Sequence, residues 1–266
     1  MRVFRNNLRL FWQGTLLSYI ALFNWLRPGT YAASKIVMPL AQMFFFVFLG
    51  RFASGEASGD FYVVGNALQI AAVSGIYGVT MSIGGDRQNG TLPYLFGTPA
   101  NRLAMFFGRA FMHLLDGALG VVIAFAWGVL LMGLDLSRTN LPALGLTILV
   151  TTLSTCGLGL LMGCLSLITV NVMFVNNFVY FVLLIFSGAN LRLEAVPAWI
   201  GAVSAFLPLT NGIAAGRLLV AGAGLGEVLP FLARELGIGF AYGLMGYGLF
   251  HVFETVARRR GTLETV

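Results

Sequence analysis

Arg109, His113 and Asp116 place a guanidinium, an imidazole and a carboxylate at four- and three-residue spacing, so in a helix all three share one face. The sequence around them is apolar, and an ionisable residue inside such a run is a functional candidate by default. A proton-coupled carrier would need an acid of this kind. The competing and preferred reading is an inner-leaflet charge network in which Arg109 or His113 satisfies the Asp116 carboxylate. Arg234 with Glu235, and His251 with Glu254, read as further structural pairs near the two ends of a late apolar run.

Other reactive side chains lack the company that their chemistry needs. Lys35 is the only lysine, and it sits in GTYAASK, where Ser34 replaces the glycine and Ile36 the Ser/Thr of a phosphate-binding loop. Nucleotide hydrolysis by this chain is therefore excluded. Ser74 and Ser187 each precede a glycine, but a nucleophilic serine needs a base within hydrogen-bond reach. Ser187 and His251 fall at opposite ends of their runs, and Ser74 lacks a glycine two positions earlier. Cys156 and Cys164 read as small packed residues, since eight helical positions put their Cα atoms about 12 Å apart, beyond disulfide range.

The elements that must position these groups are membrane helices. Of 266 residues 58% are hydrophobic and only 10% charged, where a soluble domain carries about 25% charged residues. Apolar runs of about 18 residues or more recur along the chain, each enough to cross a hydrocarbon core of roughly 30 Å. They lack the strict alternation of a transmembrane β-barrel. Spans are expected at about 36–49, 61–83, 103–134 and 143–170, then one ending at Ser187-Gly188 after a polar break at Asn171–Asn177, and a last at about 229–253. Residues 1–29 carry arginines at both ends of an apolar, Trp-containing stretch and suit the membrane interface. A short first span over 13–26 is the alternative. Residues 192–227 are too broken for a span and too apolar for a free loop, which suggests two short helices dipping in from one side.

The formal net charge is +6, but its arginines are dispersed, so the charge reads as topology and not as a nucleic-acid surface. With both ends on one side, that side collects Arg2, Arg5, Arg9, Arg27, Lys35, Arg87, Arg102, Arg109 and Arg258 to Arg260, and the positive-inside rule makes it cytoplasmic. Lys35 is then expected to snorkel from the inner end of the first span. The sequon Asn89-Gly90-Thr91 faces the cytosol and carries no glycan. Aromatic residues concentrate in the first and fifth spans. Phe45 and Phe48, with Phe178 and Phe181, are candidates for a translocation surface that has Gln42, Asn176 and Asn177 as polar handles; lipid-facing packing is the simpler reading. Asn66 and Gln69 would serve similarly or bond a neighbouring helix. The glycine pairs Gly159/Gly163 and Gly239/Gly243 are expected to let helices approach closely.

One polar insert remains, GGDRQNGTLPYLFGTPANR, residues 84–102. Thr91 can cap a short helix, Pro93 is tolerated in its first turn, and Gly97 and Pro99 end it. Leu92, Tyr94, Leu95 and Phe96 would form an apolar knob that a mere connector does not need.

This insert, with Gly90-Thr91-Leu92, Thr98-Pro99 and Arg102, resembles the cytoplasmic loop of ABC-2 type exporter permeases, the daunorubicin-exporter-like membrane subunits of two-component ABC transporters. The stretch from Phe186 to Leu219 is similar to that family's outer region, with Ser187-Gly188 ending the fifth span, a proline opening a hairpin, and Pro208-Leu209-Thr210 followed by Arg217 closing it. Pro93 stands where the family often has an acidic residue, and Asp86 is the nearest acid. The resemblance implies a single all-α integral membrane domain over residues 1–266, with about six transmembrane helices. It has an interfacial elbow helix at 1–29, a coupling loop at 84–102, a re-entrant hairpin at 192–227 and a cytoplasmic tail at 254–266. It further implies a homodimer or heterodimer of permease chains on two copies of an ATPase subunit. ATP and Mg are held by that partner and no cofactor by this chain. Asp86, Arg87, Thr91, Leu92, Pro93, Tyr94, Leu95, Phe96 and Arg102 would form the ATPase contact. The setting would be a bacterial plasma membrane and the cargo a drug, peptide or lipid, with lipid-linked polysaccharide or an ion-coupled carrier built on Asp116 as the alternatives.

Overall fold

Backbone amides that cross lipid must be paired within their own segment, and helices meet that demand here. A computed structural model describes residues 2–25, 27–54, 59–88, 90–91, 101–166 and 171–260. In chain order these form α1 (Arg2–Trp25), α2 (Pro28–Ser54), α3 (Asp60–Gln69), a π-helical segment (Val73–Gly78), α4 (Val79–Gln88), α5 (Arg102–Met132) and α6 (Leu141–Leu165). They continue with α7 (Val172–Phe186), a 3-10 turn (Leu193–Ala195), α8 (Ala198–Ser204), α9 (Thr210–Val220) and α10 (Leu225–Arg260). No strand occurs among the described residues.

Asparagine starts three of the helices. The side chains of Asn101, Asn140 and Asn171 accept the backbone N–H groups of Ala104, Ala143 and Phe174 at 3.3, 3.1 and 3.0 Å, opening α5, α6 and α7. α5 ends on Gly133 at φ 75°, a left-handed stop that glycine takes without steric cost. At the start of α10, Glu227 reaches back to accept from the Gly224 N–H at 2.9 Å.

Among the described residues, five helices are long and apolar enough to cross a membrane: Pro28–Ala53, Asp60–Gly85, Phe107–Met132, Leu141–Leu165 and Leu225–Phe253. Two expectations are corrected. The first span begins at Pro28, a residue well suited to a first helical turn, so Lys35 lies inside the helix and not at its end. The polar stretch Asn171–Asn177 is no break: Asn171 caps α7, and Asn176 and Asn177 are helical. α7 is 15 residues long, about 22 Å at 1.5 Å per residue. Within 192–227 the two short helices are α8 and α9, the latter burying Ile213, Ala215 and Leu219.

α6 is the central helix. Its hydroxyls stay within the fold: Thr147 donates to the Ala143 carbonyl at 2.9 Å, Thr151 to Thr147 at 2.7 Å and Thr152 to Ile148 at 2.7 Å. Two of its glycines touch two neighbours. A Cβ on Gly157 would stand 2.1 Å from the Gly239 carbonyl oxygen on α10, and one on Gly159 would stand 1.9 Å from the Gly75 carbonyl oxygen in the π segment. Gly239 fits as closely against Ser154, while Gly243 makes only an ordinary contact with Gly157. The opening helix is held in the same way. α1 crosses α5 where a Cβ on Gly108 would lie 2.3 Å from the Phe11 carbonyl oxygen, and Thr15 donates to the Gly108 carbonyl at 2.8 Å. Trp12, Leu16, Leu17 and Ile20 remain exposed on its outer face.

Gly157→Ala is expected to lower stability in detergent by about 1 to 3 kcal/mol through overpacking. Gly145→Ala, whose added methyl meets nothing within 4 Å, should be neutral or stabilising. Thermal unfolding of the two variants checks this, and equal losses would remove the close-approach account.

Candidate functional site

Asp116 is buried, and its partners come from other helices. The Lys35 ammonium on α2 lies 2.6 Å from Asp116 Oδ2, and the Ser74 hydroxyl in the π segment donates to the same oxygen at 2.6 Å. Tyr31 donates its phenol to Oδ1. Lys35 also reaches Ser74 Oγ at 2.8 Å and the Asp116 carbonyl at 3.2 Å. The expectation that Arg109 or His113 satisfies this carboxylate is therefore corrected. Arg109 donates to the Ser82 carbonyl on α4 at 2.7 Å. His113 packs its ring against Gly78, and neither ring nitrogen has a hydrogen-bond partner among the described residues. Lys35 does not snorkel: its side chain is only 12% exposed, and breaking such a buried pair on one side costs about 3 to 5 kcal/mol. Ser74 is committed to this cluster, Ser187 donates to Gln69 at 3.3 Å, and His251 is exposed, so no serine–histidine pair forms.

Of the polar residues expected as handles, Gln42 joins a second cluster with Asn66, and Asn176 and Asn177 lie outside it. Gln42 on α2 accepts from the Tyr180 hydroxyl on α7 at 2.8 Å and donates to Asn66 on α3 at 3.2 Å, and Asn66 donates to Asn190 at 2.8 Å. Asn66 and Gln69 are thus interhelical fasteners. Asn177 is exposed and accepts from the Tyr77 hydroxyl at 2.7 Å. Asn176 is fully buried beside Met162, Ser166 and Val172, with neither amide atom hydrogen-bonded among the described residues, which removes it from any open surface. The phenylalanines point the other way. Phe174, Phe178 and Phe181 form one exposed stripe on α7, opposite buried Val172, Asn176, Tyr180 and Leu183. Phe45 and Phe48 are exposed on α2, Phe48 stacking on Phe44 with ring centroids 5.5 Å apart. The Gln42–Tyr180 hydrogen bond joins the two aromatic helices.

Of the insert, Asp86 and Arg87 fall in the last turns of α4 and Arg102 opens α5, with their side chains outside the description. Thr91 is exposed and non-helical, and Leu92, Pro93, Tyr94, Leu95 and Phe96 lie outside the described residues. What the structure fixes is the frame: α4 enters the insert and α5 leaves it.

The family model described as ABC-2 type transporter matches residues 13–220, from within α1 to the last residue of α9. The chain belongs to the ABC-2 type transporter family. It is a membrane permease component of ABC-type transporters and lacks the ATPase site. No curated protein matches it.

Two anchors of α9 in the permease have partners distant in sequence. Glu235 on α10 does not pair with Arg234, which is exposed. Its buried carboxylate accepts the backbone N–H groups of Leu209, Asn211 and Gly212 at 2.6, 3.1 and 3.2 Å, capping α9 from another helix. The cap holds a strained turn, since Leu209 has φ 79°, a conformation costing a non-glycine residue about 1 to 3 kcal/mol. Further along α9, Arg217 donates to the Phe61 carbonyl at 3.0 Å and the Ala189 carbonyl at 2.9 Å, with its guanidinium 3.4 Å from the Phe61 ring centroid. Gly65 leaves the room for this, because a Cβ there would stand 2.3 Å from the Ala189 oxygen. α9 is therefore fixed at its N-terminus to α10 and through Arg217 to the start of α3 and the turn after α7. Adjacency in sequence pairs Glu235 with Arg234, whereas in the fold its carboxylate caps α9.

Glu235→Ala should cost the permease about 3 kcal/mol, from lost charged hydrogen bonds and stranded amides. Arg234→Ala should stay within about 0.5 kcal/mol. Thermal unfolding in detergent separates the two, and equal effects would refute the cap.

Proposed function

We propose that this permease is the membrane-spanning subunit of an ATP-driven exporter that moves a hydrophobic or amphiphilic substrate, such as a drug, peptide or lipid, out of a bacterial cell. It would dimerise and sit on two copies of a separate nucleotide-binding subunit, which carries ATP and Mg. Both termini would be cytoplasmic. Closure of the ATPase subunits would press on the insert between α4 and α5 and on α1, and open the dimer interface to alternate sides.

The observation that carries the substrate class is the pair of exposed phenylalanine surfaces on α2 and α7, joined through Gln42 and Tyr180. Lipid alone would accept phenylalanine. It would not favour Asn177 in the same exposed face, because an amide in hydrocarbon loses its water. Aromatic faces interrupted by an amide and a phenol suit a cargo with an apolar body and a polar group. A polysaccharide path would call for a surface dominated by hydrogen-bonding groups. The carrier reading built on Asp116 finds less support, since that carboxylate already faces an ammonium and two hydroxyl donors.

Purification from native membranes is the direct test: a stoichiometric P-loop ATPase accompanies an exporter subunit, whereas a secondary carrier transports without one. Phe45→Ala and Phe178→Ala should each reduce export about tenfold, the effect of losing roughly 1.4 kcal/mol of apolar contact, with assembly unchanged. Unchanged export in both would remove the proposed path.

A further inference from the structure

Among the described residues, every donor that reaches the Asp116 side chain comes from outside its own helix. Lys35 and Tyr31 come from α2 and Ser74 from the π segment, so one carboxylate joins three elements. Two of these flank the insert: the π segment leads into α4, which enters it, and Asp116 lies on α5, which leaves it. The third, α2, carries Gln42, Phe45 and Phe48. A second contact reinforces the joint, as Trp127 on α5 donates its indole N–H to the Ile36 carbonyl at 3.0 Å. Ser74 sits in a π-helical turn, an irregularity that re-aims side chains and recurs at functional sites. Here it turns a hydroxyl onto both Lys35 and Asp116.

We propose that Lys35 is a positioning residue for transport, an ion-pair tether that acts through Asp116 and Ser74 to hold the aromatic face of α2 on the two helices flanking the insert. The tether carries displacement of α4 and α5 to α2. This role rests on the exporter reading for its use, but the tether itself belongs to the chain alone. It differs from charge neutralisation, which any ammonium in the same place supplies. A free alkylamine can neutralise Asp116, yet it does not connect α2 to α5.

The test uses that distinction. In a Cys156→Ala, Cys164→Ala background, spin labels are placed at Val37 on α2 and Val122 on α5, both exposed, and their distance distribution is measured in the purified permease. The unsubstituted Lys35 protein should give one narrow distribution. Lys35→Ala should give a broad one that stays broad when ethylamine or propylamine restores thermal stability. A narrow distribution in Lys35→Ala, with or without amine, overturns the tether. If Lys35→Ala cannot be purified, the charge-exchanged Lys35→Glu, Asp116→Lys pair replaces it; a narrow distribution supports the tether and a broad one refutes it. In the complex with the co-purified ATPase, amine-treated Lys35→Ala should export at least about fivefold less substrate per ATP hydrolysed, the lower end of an interaction between distant sites. Full recovery of that ratio by amine also refutes the proposal. Absence of any ATPase would sink the exporter reading and leave the distance measurement to decide the tether.

Discussion

The close approach of α6 to its neighbours is the constraint on which the rest of the permease depends. In lipid an apolar side chain gains nothing by leaving one hydrocarbon surface for another, so helices associate through van der Waals contact and hydrogen bonds. Gly157 and Gly159 bring α6 backbone to backbone with α10 and the π segment. The Thr147, Thr151 and Thr152 hydroxyls satisfy themselves on α6 carbonyls, leaving its surface smooth enough for that approach. Once α6 is fixed, Gly75 and Ser74 have defined positions, and Ser74 in turn defines where Lys35 and Asp116 meet.

Polar satisfaction then divides the molecule into two levels. At the level of Asp116, a charge is matched by a charge and two hydroxyls, which ties α2, the π segment and α5. At the level of α9, charges are matched by backbone dipoles: Glu235 takes three N–H groups, and Arg217 takes two carbonyls and a ring face. Both devices avoid leaving an ion unpaired in a poor solvent. They differ in consequence. The ion pair is made by flexible side chains and can move with its helices, whereas the cap fixes a short helix by its own backbone.

Legibility in the sequence followed the range of the interaction. Helices and most spans are readable because apolar length is a local property; the caps at Asn101 and Asn140 and the stop at Gly133 first become visible in the fold. Asn171 misled because a cap and a loop share the same polar signature; whether the following asparagines leave the helix depends on what α7 packs against. Asp116 stands out in the sequence as an acid in an apolar run, but helical spacing points to partners on its own face, whereas its contacts come from other elements. Lys35 lies 81 residues away, and no periodicity within one helix points to it. Glu235 failed for the same reason, as Arg234 is adjacent in sequence yet leaves on another side of α10. The aromatic helices were readable as compositions, while their connection through Gln42 and Tyr180 was not.

The arrangement also explains why a single lysine suffices in a chain whose other basic residues are arginines. Arginine presents a rigid planar fork that suits two carbonyls and a ring face, which is how Arg217 is used. The Asp116 cluster instead offers one carboxylate oxygen, one hydroxyl and one carbonyl around a point. A compact ammonium with three donors fills that geometry. The two positive groups are thus matched to different geometries: Arg217 spans two carbonyls and a ring face, and Lys35 gathers three acceptors around one point.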